Sequence, residues 1–164
     1  MTTAIRRPEP GEMDAVYLAG ADVWQGDLSR ADYLAGCRAS PKYARGSWRG
    51  LFKGADAPAE LLAALIIYEL HPGVFGIGSV ATPPERRGRG HASALIQRVV
   101  AGLESDGARA IFLHSDVAPT LYERLGFVAL PAELQRKPGS SCMVRCADPA
   151  GLWSRPGFEP PRYF

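Results

Sequence analysis

Arg86, Arg87, Gly88, Arg89 and Gly90 place three guanidinium groups and two glycines within five residues, in a chain whose only lysines are Lys42, Lys53 and Lys137. Immediately after them, Ala92, Leu95, Ile96, Val99, Val100 and Leu103 fall on one face of a helix. The basic loop therefore leads into a helix N-terminus, where backbone N–H groups lack partners and carry partial positive charge. Such a terminus attracts phosphate. Glycine lets the backbone approach a ligand closely, and arginine adds a charged fork. The chemistry expected of Ser79–Ala92 is anion binding.

Two phosphate-binding patterns are excluded. The loop lacks the Gly-Lys-Ser/Thr ending of a P-loop and the third glycine or alanine, at its own spacing, of the dinucleotide fingerprint. The pattern Gln/Arg-x-x-Gly-x-Gly/Ala, filled here by Arg87, Gly90 and Ala92 after the approach Pro84-Glu85-Arg86, resembles the signature of the GNAT acetyltransferase superfamily. About 30 residues later, the stretch from Ser115 to Phe127, with its Leu121-Tyr122-x-x-x-Gly126-Phe127, resembles that family's second conserved segment.

This resemblance implies an acetyl-CoA-dependent N-acetyltransferase in which a primary amine attacks the thioester directly, without metal or covalent enzyme intermediate. It implies that Arg87, Gly88, Arg89, Gly90, His91 and Ala92 hold the coenzyme pyrophosphate. Val80, Ala81 and Thr82 would pair with the pantetheine arm like an added strand, and an amide there would polarise the thioester carbonyl. The fold implied is mixed α/β, α+β-like: a mostly antiparallel twisted sheet of about six or seven strands with one splayed parallel pair, flanked by about four helices.

Two proton transfers need residues. A phenol of ordinary pKa about 10 suits protonation of a departing thiolate, which makes Tyr122 the candidate acid, with simple packing as the alternative. An alkylammonium must lose a proton before attack; Glu69 is the weak favourite as base, beside Glu85 and a water relay. Asp116 reads more readily as a helix cap. His91 reads as a loop residue used for its backbone, and His114 as a core histidine. Ser115 either touches the pantetheine or ends its strand. Trp24, Tyr33, Tyr43 and Trp48 either line an acceptor cleft or belong to the core.

The elements that must carry these residues follow from periodicity. A short strand at Ala4–Arg7 precedes a helix over Gly11–Trp24, and a second helix starts after Ser29, where Ser29-Arg30-Ala31-Asp32 resembles a capping box. Ser47–Lys53, Glu60–Leu70 and Gly73–Ala81 read as consecutive antiparallel strands, with His71-Pro72-Gly73 as the second turn. The helix from Gly90 ends at Gly107. The strand Ala110–His114 follows it, and such a crossover makes this strand parallel to Gly73–Ala81. A short helix through Leu121, Tyr122 and Leu125, capped by Asp116 and stopped by Gly126, precedes a late hairpin of Phe127–Leu130 and Cys142–Cys146. Residues 1–146 read as one domain. Residues 147–164, rich in proline, glycine and aromatics and without period, read as an extended arm packed on that domain or on a second subunit, so monomer and homodimer both stay open.

The chain of 164 residues is long enough for one substantial core. A balance of 19 basic against 17 acidic side chains is too even to make nucleic acid the default partner, and the arginine-glycine loop lacks the interleaved aromatics of a single-strand binder. No window is apolar enough for a membrane span, and three cysteines without metal-site spacing suit a reducing cytoplasm. A GNAT-like module that binds acyl-CoA without catalysis is the principal alternative, and the acceptor amine is not specified.

Overall fold

The computed structural model describes residues 2–164. Seven strands are formed: β1 (Thr3–Arg6), β2 (Ser47–Lys53), β3 (Glu60–His71), β4 (Val74–Ala81), β5 (Ala110–Ser115), β6 (Val128–Ala129) and β7 (Ser141–Cys146). They are ordered β1-β2-β3-β4-β5-β7-β6 in one sheet. The helices are α1 (Met13–Leu18), α2 (Ala21–Trp24), α3 (Arg30–Arg38), α4 (Pro41–Ala44), α5 (His91–Ser105), α6 (Thr120–Glu123) and α7 (Pro149–Trp153). Two compact units divide the chain, one made of residues up to Ile67 with Ser79–Arg98, the other of Tyr68–Gly78 with Val99–Phe164.

In the first unit β1, β2 and β3 pair antiparallel. The apolar run from Leu61 to Tyr68 is buried throughout, as an unalternating strand covered on both faces must be. Val16 of α1 and Ala19 just after it pack with Phe52, Leu61 and Ala64, and Met13, Trp48 and Ala81 border that cluster. The helix expected over Gly11–Trp24 is broken: a 3-10 turn at Pro10–Glu12 leads into α1, and the chain restarts as α2 after Gly20. Apolar spacing carried the sequence reading across that break, but Trp24 is 43% exposed and belongs to no continuous buried face. The capping of α3 is as expected, with the Asp32 amide donating to the Ser29 hydroxyl.

In the second unit β4 and β5 pair in parallel from Val74↔Ala110 to Ile77↔Leu113, and β7 pairs antiparallel with β5 and β6. The helix α5 ends in a Schellman motif: the Gly107 amide donates to Glu104 and the Ala108 amide to Leu103, with Gly107 at φ +96°. Residues 147–164 are not wholly extended, as the sequence suggested. Asp148 caps the short α7 by accepting from the Gly151 amide, an interaction that aromatic and proline content concealed. Leu152, Trp153, Phe158 and Phe164 then pack against a core of Ala110, Phe112, Leu130, Cys142 and Val144.

A buried carboxylate ties down the N-terminal segment. Glu12, 6% exposed, accepts both Arg6 terminal nitrogens at 2.7 and 2.8 Å, the Glu9 amide at 2.8 Å and the Ala59 amide at 3.0 Å. The Arg6 hydrogen bonds lead the causes that lower its carboxyl from 4.5 to about 2, against desolvation, which raises it. A carboxyl whose pKa is depressed by folding stabilises the fold fully above the unfolded value, and that contribution disappears as pH falls toward the folded value. Glu12→Gln should cost about 3 kcal/mol at pH 7, because Arg6 loses its buried partner. The melting temperatures of parent and variant, measured from pH 7 to pH 2, should converge only between about 4.5 and 2.

Candidate active site

In the first unit, the end of β4, the following loop and the start of α5 form one continuous arrangement. Ser79 takes φ +47°, a left-handed conformation unusual for a residue with a side chain. Burial raises the Tyr43 phenol, and the nearby Ser79 side chain lowers it somewhat. Tyr43 belongs to a half-buried aromatic group, stacked on Tyr17 at 5.9 Å between centroids and meeting Trp48 edge-on at 5.1 Å. Tyr33 is buried instead, donating its hydroxyl to the Tyr17 carbonyl at 2.9 Å. Val80 and Thr82 are half-buried, and Ala81 joins the core cluster.

Residues 83–90 then cross the surface, through a 3-10 turn at Pro84–Arg86. Gly88 and Gly90 adopt φ +73° and +77°. A Cβ at either position would meet no atom of the protein, so positive φ and open space above the loop account for these glycines, not crowding. The first α-helical bond is donated by the Ala94 amide to the Gly90 carbonyl. The amides of His91, Ala92 and Ser93 thus belong to the unpaired first turn of a 15-residue helix.

Two of the three arginines do not offer their charge to the open loop. Arg86 pairs with Glu60. Arg87 closes a two-pronged pair on Asp22, both contacts 2.7 Å, and donates through Nε to the Thr82 carbonyl at 2.9 Å. Hydrogen bonding by Arg87 holds the Asp22 carboxyl below its ordinary range. Arg89 is exposed. Two of the three loop guanidinium groups are therefore engaged by carboxylates far away in sequence. A cleft of about 740 Å³ adjoins the loop, with Ala19, Asp22, Val23, Glu60, Pro83 and Glu85 in its lining.

The second unit holds Glu69, Ser115 and Tyr122. Glu69 is exposed near the end of β3. Ser115 is buried and donates its hydroxyl to the Val117 carbonyl at 2.7 Å, which turns the chain as it leaves β5. Asp116 does not cap a helix. Pro119 occupies the N-cap of α6, and the Asp116 carboxylate accepts the Tyr163 hydroxyl at 2.8 Å. His114 packs against Tyr163 and Phe164, centroids 5.1 and 4.8 Å away.

The Leu-Tyr-x-x-x-Gly-Phe segment has a local explanation. The Gly126 amide donates to Glu123 and the Phe127 amide to Tyr122, with Gly126 at φ +83°. This is a Schellman ending, and it brings the rings of Tyr122 and Phe127 to 6.4 Å. Tyr122 is 8% exposed; burial first, and the Asp116 charge second, raise its phenol above 10. All three thiols are likewise raised by burial, Cys142 to about 12, so none supplies a ready thiolate at neutral pH.

A parallel strand pair joined through a helix whose unpaired N-terminus carries a glycine-arginine loop is an arrangement suited to a bound anion. The model of the acetyltransferase (GNAT) domain matches residues 4–129, and the chain belongs to that family. A search of curated protein sequences finds no match. Among solved structures, the PaiA N-acetyltransferase of Thermoplasma acidophilum, in complex with coenzyme A, is similar at TM-score 0.63 and 14% identity, over 89% of this chain and 99% of that one. A GNAT family acetyltransferase of Brucella melitensis in complex with acetyl-CoA is similar at TM-score 0.56 and 22% identity, over 86% of each chain. The ribosomal-protein-S18-alanine N-acetyltransferase of Escherichia coli is similar at TM-score 0.63 and 16% identity, over 92% of this chain and 99% of that one. These likenesses establish the GNAT fold.

Gly126 also lies against Arg145, whose Nη1 donates to the Leu125 carbonyl at 2.8 Å. Gly126→Ala should therefore destabilise the chain by about 2 kcal/mol, from a left-handed backbone and a displaced guanidinium. Denaturant unfolding should show the loss as a lower midpoint with an unchanged slope.

Proposed function

We propose that the protein transfers an acetyl group from acetyl-CoA to a primary amine by direct attack. The observation that carries this reading is the open, left-handed Gly88–Gly90 loop feeding the unpaired amides of His91, Ala92 and Ser93 at the start of α5. An anion of pyrophosphate size suits such a site. The coenzyme complexes of the Thermoplasma and Brucella structures support the choice of anion.

In this reading the backbone of Gly88–Ala92 holds the pyrophosphate, and Arg87, its guanidinium bound to Asp22 and its amide donated to the Pro84 carbonyl, holds the loop in shape. Val80, Ala81 and Thr82 present strand edges to the pantetheine, and Ser115 closes the end of β5. The coenzyme supplies the activated acyl thioester. Tyr122 donates a proton to the departing sulfur, a role supported by its place in the family segment and by a phenol that stays protonated across the physiological range. Glu69 remains the weak candidate for base; its exposure suits relay through water. Burial raises all three thiols, so none of them offers a ready cysteine nucleophile in this reading. We place the reaction in the cytoplasm, with neither metal nor nucleic acid as partner; no helix among the described residues is long and apolar enough to cross a membrane.

Thiol release from acetyl-CoA, screened against small amines, amino acids and peptides, tests the reading. Tyr122→Phe should lower kcat about 10²-fold or more. The donor acts while protonated, so the alkaline limb of the parent's kcat profile should lie above pH 10. Coenzyme binding without amine-dependent release in any panel member would leave a non-catalytic acyl-CoA-binding module. Separately, Gly90→Glu should abolish coenzyme binding in calorimetry, because it adds strain and negative charge at the helix N-terminus. Unimpaired binding would refute the loop assignment.

A further inference from the structure

The Arg87 guanidinium has five N–H donors, and four of them are engaged within the first unit. Nε donates to the Thr82 carbonyl at 2.9 Å, Nη2 to the Ala19 carbonyl at 3.4 Å, and Nη1 and Nη2 to the two Asp22 oxygens at 2.7 Å each. Three segments therefore meet at one side chain: the exit of β4, the break after α1, and the first turn of α2. A planar fork can span such divergent acceptors, whereas a lysine would supply one point charge.

The helix α2 has little else to hold it. It is four residues long, none of them buried, with Val23 69% and Trp24 43% exposed. A single turn of helix is not stable on its own in water. Yet Ala21, Asp22 and Val23 of this turn, with Gln25 just beyond it, line the cleft of about 740 Å³ beside Pro83 and Glu85 of the loop. The width of that cleft depends on where α2 is fastened.

We propose that Asp22 is a positioning residue that, through Arg87, fastens the α2 wall of the cleft to the coenzyme loop, so that occupation of the loop orders the wall. The proposal rests on the coenzyme reading of Gly88–Ala92 and adds a regulated acceptor side to it. Coupling of this kind is reciprocal: whatever orders the wall also favours the occupied loop. The ion pair holds the Arg87 side chain on Asp22, so its loss releases the wall and leaves the loop amides free to bind.

Amide hydrogen exchange on the full chain, with and without saturating coenzyme A, tests this in the parent, Asp22→Asn and Arg87→Lys. In the parent, coenzyme A should slow exchange at Gly88–Ala92 and also, about fivefold or more, at Ala19–Gln25. In Asp22→Asn the loop amides should still gain protection while Ala19–Gln25 gain none, and the Kd for coenzyme A should rise by about the same fivefold, because the coupling is reciprocal. Arg87→Lys should reproduce the loss at Ala19–Gln25, because charge without the fork cannot bridge the three segments. Equal protection of Ala19–Gln25 in parent and Asp22→Asn, or no protection there in the parent while the loop is protected, overturns the proposal. No protection of Gly88–Ala92 in the parent removes the coenzyme reading itself, and the proposal with it.

Discussion

A strand can lie parallel to the next only if the chain travels back to its starting end, and between β4 and β5 that return is made by α5. The helix must begin where β4 finishes, so its unpaired amides open beside the strand end. The short loop between them inherits the task of turning the chain at the helix N-terminus, and it does so with two left-handed glycines. An unpaired helix N-terminus beside a strand end is thus a by-product of parallel pairing, and the left-handed glycines keep the space above it open. Antiparallel pairing elsewhere, in β1–β3 and in β5–β7–β6, imposes no such helix.

The same logic of backbone endings recurs at α6. Its Schellman turn needs a left-handed residue at Gly126 and an apolar one at Phe127, and it buries Tyr122 as the apolar partner. Burial then holds the phenol protonated. A packing rule and a proton-donor requirement are met by one arrangement, which is why a purely structural and a catalytic reading of Tyr122 share their geometry and part only in kinetics.

Much of this was legible in the sequence because it is local. Period 3.6 marked α5, the apolar run marked β3, Ser29 marked the start of α3, and Gly107 marked the end of α5. The loop signature and the Leu121–Phe127 segment, with the order of elements around them, carried the resemblance to the family that the domain match bears out. Errors arose where local signals were silent or misleading. Apolar spacing ran through Gly20 although the backbone breaks there. Asp116 carries a capping residue's chemistry but spends it on Tyr163, 47 residues away. The aromatic tail hid a helix whose cap is a single aspartate.

By itself the sequence determined the strands, the helix α5 and its end at Gly107, because each follows from neighbours within a few turns of chain. Only the tertiary structure decided what the charged side chains do. Asp22 lies 65 residues from Arg87, Glu60 lies 26 from Arg86, and no spacing rule joins them. Ion pairs form between whatever surfaces the fold brings within about 4 Å, and here they withdraw two of three loop arginines from the role their positions suggested.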